Sequence, residues 1–185
     1  ARPGRQQLAH PPAPLGHVEE EAVVEAAQQM HPEAGAVLAD HTAPGHAAYI
    51  PLAHDGTDAP QQLPLAEVLS KLRPWLEDAS KPKLGQHIKY DGHVLANHDI
   101  TIRGYVHDTM LQSYVLEAHK PHGLESLAQR YLGRSGISYE DLCGKGASQI
   151  PFSQVSVDQA TTYACEDVDF CLQVHQMLWP LIQAN

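Results

Sequence analysis

An α/β fold is predicted for the 185-residue sequence from two features. Short strand-like runs interleave with longer segments of helical periodicity, and the C-terminal part closes on one long amphipathic helix. The length suits one domain with a proper core, and apolar residues at 43% are ordinary for a globular chain. Residues 1–18, rich in Pro, Ala, Gly and Gln with little to bury, read as a disordered tail. Residues 19–185 read as the domain.

The elements follow in order. Glu20 to Met30 (EEAVVEAAQQM) is dominated by Ala, Glu and Gln and reads as helix. His46 to Leu52 is a short strand ending near Pro51, with a turn at His54-Asp55-Gly56. Leu65, Val68, Leu69, Leu72 and Leu76 mark a helix. Lys83 to Ile88 reads as strand, Tyr90 to Asn97 as helix and Ile100 to Val106 as strand. Thr109 to Leu116 and Leu124 to Leu132 are helical, the second stopped by Gly133. Ser156 and Gln159 have capping-box spacing at the start of the last helix, which runs to about Leu181. Cys143, Cys165 and Cys171 lack metal-type pairing and read as buried thiols of a reducing cytoplasm. The opening segment lacks the apolar core of a signal peptide, and no apolar run reaches the eighteen or so residues of a membrane span. A cytoplasmic protein with no membrane partner is expected.

A net charge of −10 argues against a general nucleic-acid binder. The charge is uneven, however. Residues 1–79 carry four basic and eleven acidic side chains, residues 80–150 eight and seven, and residues 151–185 none and four. The middle segment therefore offers Lys81, Lys83, Lys89, Arg103, Lys120, Arg130, Arg134 and Lys145 to phosphates. An acidic protein that holds divalent cations can still bind DNA locally.

Two segments carry chemistry. Tyr163 and Asp167, spaced i, i+4, share the face of the last helix that also bears Ala160, Ala164, Phe170, Cys171 and Val174. A carboxylate on a buried stripe is costly unless paired, protonated or metal-bound, although an Asp at the stripe's edge could equally meet solvent or a Lys. Asp91 closes Gly85-Gln-His-Ile-Lys-Tyr-Asp91 at a strand-to-helix junction, where it faces a cleft beside the sheet or simply favours the helix N-terminus. Among thirteen histidines, His54-Asp55, His98-Asp99 and His107-Asp108 raise the alternative of a helical His-Asp phosphohydrolase, but the pairs fall at strand ends and turns. No His/Cys spacing suits structural zinc.

GQHIKYDGHVLANHDITIRGYVHDTMLQSYVL resembles the second exonuclease motif of the bacterial DNA polymerase I family, usually G-Q-N-x-K-Y-D. LESLAQRYLG with Gly144-Lys-Gly146 is similar to the segment that follows it, and YACEDVDFCLQVHQMLWPL to the Y-x-x-x-D third motif. AAYIPLAHD is similar to the strand and turn after the first motif, so the likeness runs collinearly from about Pro44 to Leu181. The resemblance implies a ribonuclease H-like fold with a mixed sheet flanked by helices. It implies a proofreading 3′→5′ exonuclease that removes the 3′-terminal nucleotide of DNA by two-metal hydrolysis, with Mg²⁺ or Mn²⁺ as cofactor. It also implies a polymerase domain C-terminal in the same chain, work at the bacterial nucleoid in replication and repair, and a monomer. By position Asp91 and Asp167 would be metal ligands, and Tyr163 would orient the attacking water. Gln86, His87, Lys89 and Tyr139 would contact the single-stranded 3′ end.

Two departures accompany the resemblance. His87 replaces the usual Asn, and the Asp-x-Glu of the first motif is absent before Pro44. Glu21 and Glu25 are the substitutes on offer, but their i, i+4 spacing suits a helix, whereas the family needs two residues on one face of a strand. Loss of those ligands would leave weak hydrolysis or, as the alternative, an inactive module that keeps the fold and contacts DNA. Ala36 to Ala39 is expected to pair with the strand at Ala47 to Ile50.

Overall fold

The computed structural model describes residues 25–31, 35–40 and 47–184, the first two segments through their backbone alone. The chain is α/β, with strands β1 (Glu25–His31), β2 (Gly35–Asp40), β3 (Ala47–Pro51), β4 (Lys83–Gly85) and β5 (Tyr105–Asp108). The helices are α1 (Leu65–Leu76), α2 (Ile88–Ala96), α3 (Thr109–Glu117), α4 (Leu124–Leu127), α5 (Tyr139–Cys143) and α6 (Val157–Gln183). A π turn at Ala128–Leu132 extends α4, and 3₁₀ turns at Gly146–Ser148 and Phe152–Gln154 lead to α6. The sheet order is β3-β2-β1-β4-β5, antiparallel across β3, β2 and β1 and parallel across β1, β4 and β5.

The expected helix over Glu20 to Met30 is corrected by this topology. Residues 25–31 form the central strand, hydrogen-bonded antiparallel to β2 and parallel to β4. Helix propensity separates ordinary residues by only about 0.7 kcal/mol each, so two ladders and a covering helix override it. The expected pairing of β2 with β3 is observed, with Ala36 opposite Ile50 and Ala39 opposite Ala47. β4 is shorter than expected, because the chain turns into α2 after Gly85. β5 begins at Tyr105 and extends to Asp108, not from Ile100, because Ile100 is instead buried against α1 and α2. The tail 1–18 lies outside the described residues.

Helix α6 packs against β1, β2, β3 and β4 and organises the core. Its buried stripe contains Ala160, Tyr163, Ala164, Val168, Cys171, Val174 and Leu178. Ser156 caps it by accepting from the Gln159 N–H. A second cluster, Leu69, Leu76, Leu95 and Ile100, joins α1 to α2. Each fully buried Leu or Val contributes about 1.5–3 kcal/mol. Cys143 and Cys171 are buried as expected, whereas Cys165 is only half-buried. None of the described helices is long and apolar enough to cross a membrane.

Lys83 corrects another expectation. It is fully buried, and its ammonium donates to the carbonyls of Asp78, Lys81 and Arg103 at 2.8–3.0 Å, 4.8 Å from the centroid of the Trp75 ring. Neighbouring Gly104, at φ +68°, has no room for a side chain, since a Cβ would meet the Lys81 carbonyl oxygen at 2.4 Å. Lys83 thus ties the α1–β4 turn to the segment before β5 and is not available to phosphate. Lys120, Arg134 and Lys145 are engaged with Glu117, Asp169 and Glu140, and Arg130 with the Pro121 carbonyl and Glu117. Lys81, Lys89 and Arg103 are exposed.

Candidate functional site

Tyr163 and Asp167 lie one turn apart on α6, as their spacing predicts. Tyr163 is buried, and its hydroxyl donates to the Asp167 carboxylate. Burial, reinforced by that carboxylate, raises the Tyr163 phenol far above its usual range, so it stays protonated. Asp167 itself is pushed up to about 7, chiefly by burial. The Tyr163 hydrogen bond opposes the shift, and the negative charges of Glu166 and Glu125 add to it. A half-buried carboxylate whose charged neighbours are acidic is a site that a cation stabilises.

Asp91 stands in the first turn of α2 and is 4% exposed. The N-terminus of α2 favours its charge. The thiol of Cys171 on α6, raised to about 12 mainly by burial, also feels the negative charges of Asp108, Asp167 and Asp91.

Asp108, which the sequence offered only as half of a His-Asp pair, fixes the turn into α2 that leads to Asp91. Asp108 caps α3 by accepting from the N–H groups of Met110 and Leu111 at 2.9 and 3.2 Å. It also accepts from His87 and Ile88 N–H at 3.2 Å, so one carboxylate ties the start of α2 to the start of α3. The His107-Asp108 pair is thereby explained structurally. An Asp directly before a helical run is an N-cap signature, which could have identified half of this role.

The residues expected at the DNA end divide. Gln86 is buried, accepting from the Thr109 hydroxyl and donating to the His122 carbonyl, so it supports the β4–α2 loop instead of facing solvent. This corrects its assignment as a direct contact. His87, at the end of the same loop, and Lys89, in the first turn of α2, are exposed. His87 has φ 58° and ψ 43°, the left-handed region that Asn tolerates readily, which accounts for the family's usual residue there. Tyr139 opens α5, 36% exposed, its ring stacked on Phe152. Phe152 in turn packs against Tyr163, with ring centroids 5.9 Å apart.

Glu21 lies outside the described residues. Glu25 is the first residue of β1, opposite Lys83 of β4 and Asp40 of β2. Among the described residues no group of three His, Cys, Asp or Glu side chains forms a cluster that could hold a metal. Asp91, buried, and Asp167, half-buried among acidic neighbours, are each hard oxygen donors of the kind a divalent cation takes.

A family model described as 3′-5′ exonuclease matches residues 31–183. The DNA polymerase I of Pseudomonas aeruginosa is 50% identical over 143 residues, covering 76% of this chain and 16% of that protein. The DNA polymerase I of Rhizobium leguminosarum is 38% identical over 161 residues, covering 80% and 16%. The chain thus spans about a sixth of the length of these curated relatives. Among solved structures, Brucella melitensis NrnC matches with a TM-score of 0.58 at 18% identity over 89% of this chain and 75% of that one. A form of the same protein with bound Mg²⁺ matches at 0.56 and 17%, over 89% and 75%. The POL domain of Pol1 from M. smegmatis, in complex with DNA primer-template and dNTP, matches at 0.57 and 22%, over 88% and 25%. These structures share the ribonuclease H-like fold.

Proposed function

This chain belongs to the 3′-5′ exonuclease family of DNA polymerase I, and from that premise we propose that residues 19–185 form one domain that hydrolyses the 3′-terminal phosphodiester of single-stranded DNA. The observation that supports the proposal is the Tyr163 hydroxyl bonded to the half-buried Asp167 carboxylate on α6, within a chain matched along most of its length and with a buried Asp91 in the first turn of α2. The domain would act as a monomer beside a polymerase domain in the same chain, on nucleoid DNA in the bacterial cytoplasm.

Asp91 and Asp167 would hold Mg²⁺ or Mn²⁺, in line with the Mg²⁺ bound by the NrnC neighbour. Bound there, a divalent cation neutralises charge on the scissile phosphate and makes a water more nucleophilic. The Tyr163 hydroxyl, its proton directed to Asp167, leaves its oxygen lone pair to receive a hydrogen bond from the attacking water. Exposed His87 and Lys89 meet the terminal phosphates, and Tyr139 offers its ring to the last base. Gln86 acts indirectly, by holding the loop that ends in His87 and leads into α2.

The first motif limits this machinery. Counting back from Pro44 puts Ala22 and Val24 where the family has Asp and Glu, and the family match begins only at His31. With two carboxylates instead of four, one ion is held loosely among several waters, and turnover falls well below that of the family. The missing ligands favour, as a second reading, a module that binds the 3′ end without cutting it.

Release of nucleotide from a 3′-labelled single strand with Mg²⁺ or Mn²⁺ tests both readings. Weak activity abolished by Asp91→Ala or Asp167→Ala, and raised by Ala22→Asp with Val24→Glu, supports hydrolysis at this site. Activity indifferent to Asp167→Ala refutes the assignment, and binding without release supports the second reading.

A further inference from the structure

Phe152 stands where three functional segments converge. It is 2% exposed, in the 3₁₀ turn just before α6. On one side lies Tyr139, with centroids 6.1 Å apart and planes 12° from parallel, an offset stack. On another lies Tyr163 at 5.9 Å and 56°, and on a third His54 at 6.2 Å and 46°. The outer ring is solvent-accessible and the inner ring belongs to the hydrolytic site, so Phe152 bridges the surface and the chemistry.

The bridge is held from the sheet side. His54, 5% exposed, has Nδ1 3.0 Å from the Val155 carbonyl, which can only accept, so Nδ1 carries the proton. Nε2 then accepts from the Tyr49 hydroxyl at 2.7 Å. The backbone of His54 is fixed as well, its N–H donating to the Gln62 side chain and its carbonyl accepting from it at 2.8 and 2.7 Å. Next to it, the Asp55 N–H donates to the Ser153 carbonyl at 3.0 Å. The loop after β3 therefore grips Ser153 within the turn that carries Phe152 and Val155 at its end. A turn so clamped has little freedom to tilt its ring.

We infer that Phe152 is a positioning residue: backed by the His54 clamp, it fixes Tyr139 as a rigid stacking platform for the unpaired 3′-terminal base and sets that platform relative to Tyr163. This rests on the exonuclease reading above, including its contact of Tyr139 with the last base, and deepens it by assigning the rigidity of that ring to buried Phe152. Stacking is tolerant of sequence, because every base has a π-face, so the platform reads strand character and not base identity.

The test is binding of a short single-stranded oligodeoxynucleotide with 2-aminopurine as its 3′-terminal base, in EDTA so that nothing is cleaved. Stacking quenches the probe. The expected result is quenching by the unaltered chain, lost in Phe152→Leu together with about tenfold in affinity. Tyr139→Phe retains both, because only the ring is used, and Tyr139→Ala loses both. Combining Phe152→Leu with Tyr139→Ala adds no further loss, which a merely structural role would not produce. Leu178→Ala, in the cluster with Leu127 and Val174, weakens the core elsewhere and leaves the quenching intact. Should Phe152→Leu not fold, Phe152→Met, of similar volume but without a ring, replaces it. Full quenching and affinity in the ringless variant, or losses that multiply in the double variant, overturn this inference and leave the exonuclease reading untouched. Absence of binding by the unaltered chain overturns this inference, whereas the exonuclease reading stands or falls on the metal-dependent release assay above.

Discussion

Replacing Asp108 tests how the site is aimed, because this one carboxylate accepts from four backbone N–H groups in two helices. Asp108→Ala removes the cap of α3, which costs about 1–2 kcal/mol. It also strands the N–H groups of His87 and Ile88, each bond contributing about 1 kcal/mol and more where the donor stays buried. The expected total is about 2–4 kcal/mol, or about 1–2 M in the urea midpoint for a domain of this size. Asp108→Asn should cost less. Asn caps as well as Asp, and its remaining oxygen can serve His87, Met110 and Leu111, all of which contact Oδ1. What it loses is Oδ2, where an amide would face the Ile88 N–H donor to donor, a loss of about 1–2 kcal/mol. Urea unfolding followed by circular dichroism measures both. Hydrogen exchange locates the effect, and the His87 and Ile88 amides should lose protection in both variants. An Asp108→Ala variant within about 0.5 kcal/mol of the parent, or Asn as damaging as Ala, would refute the double-cap account.

Two further outcomes are expected. Lys83→Met leaves three carbonyls without their shared ammonium and should lower stability by about 2–4 kcal/mol in the same unfolding assay, with no change in affinity for single-stranded DNA. Burial lowers the pKa of His107 below its usual 6.5, so as pH falls from there the unfolded chain takes up the proton first and stability is lost. Thermal unfolding followed from pH 7.5 to 5.5 should show that loss, and it should be smaller in His107→Phe, which still packs against His175 and Trp179.

Sequence alone determined those parts of the molecule whose causes are local. The i, i+4 spacing placed Tyr163 and Asp167 together on α6, Ser156 marked where that helix starts, and the strand-to-helix junction located Asp91 in a first turn. The collinear motifs identified the family and the ribonuclease H-like fold from the same short-range patterns. Composition could not show that EAAQQM becomes the central strand, because that choice is made by β2 and β4 supplying hydrogen bonds on both sides. Nor could it show that Gln86 and Lys83 turn inward, since only the folded chain brings the His122 carbonyl and those of Asp78 and Arg103 to meet them. Asp108 offered only a His-Asp pair and an N-cap position, and Phe152 carried no motif. Their roles arise from partners 20 and 101 residues away, in the Ile88–Asp108 bond and in the His54–Val155 bond of the clamp around Phe152. A side chain's intrinsic preferences are written in its own segment, whereas burial and hydrogen bonding depend on which distant groups the fold delivers, and tertiary structure alone decides that.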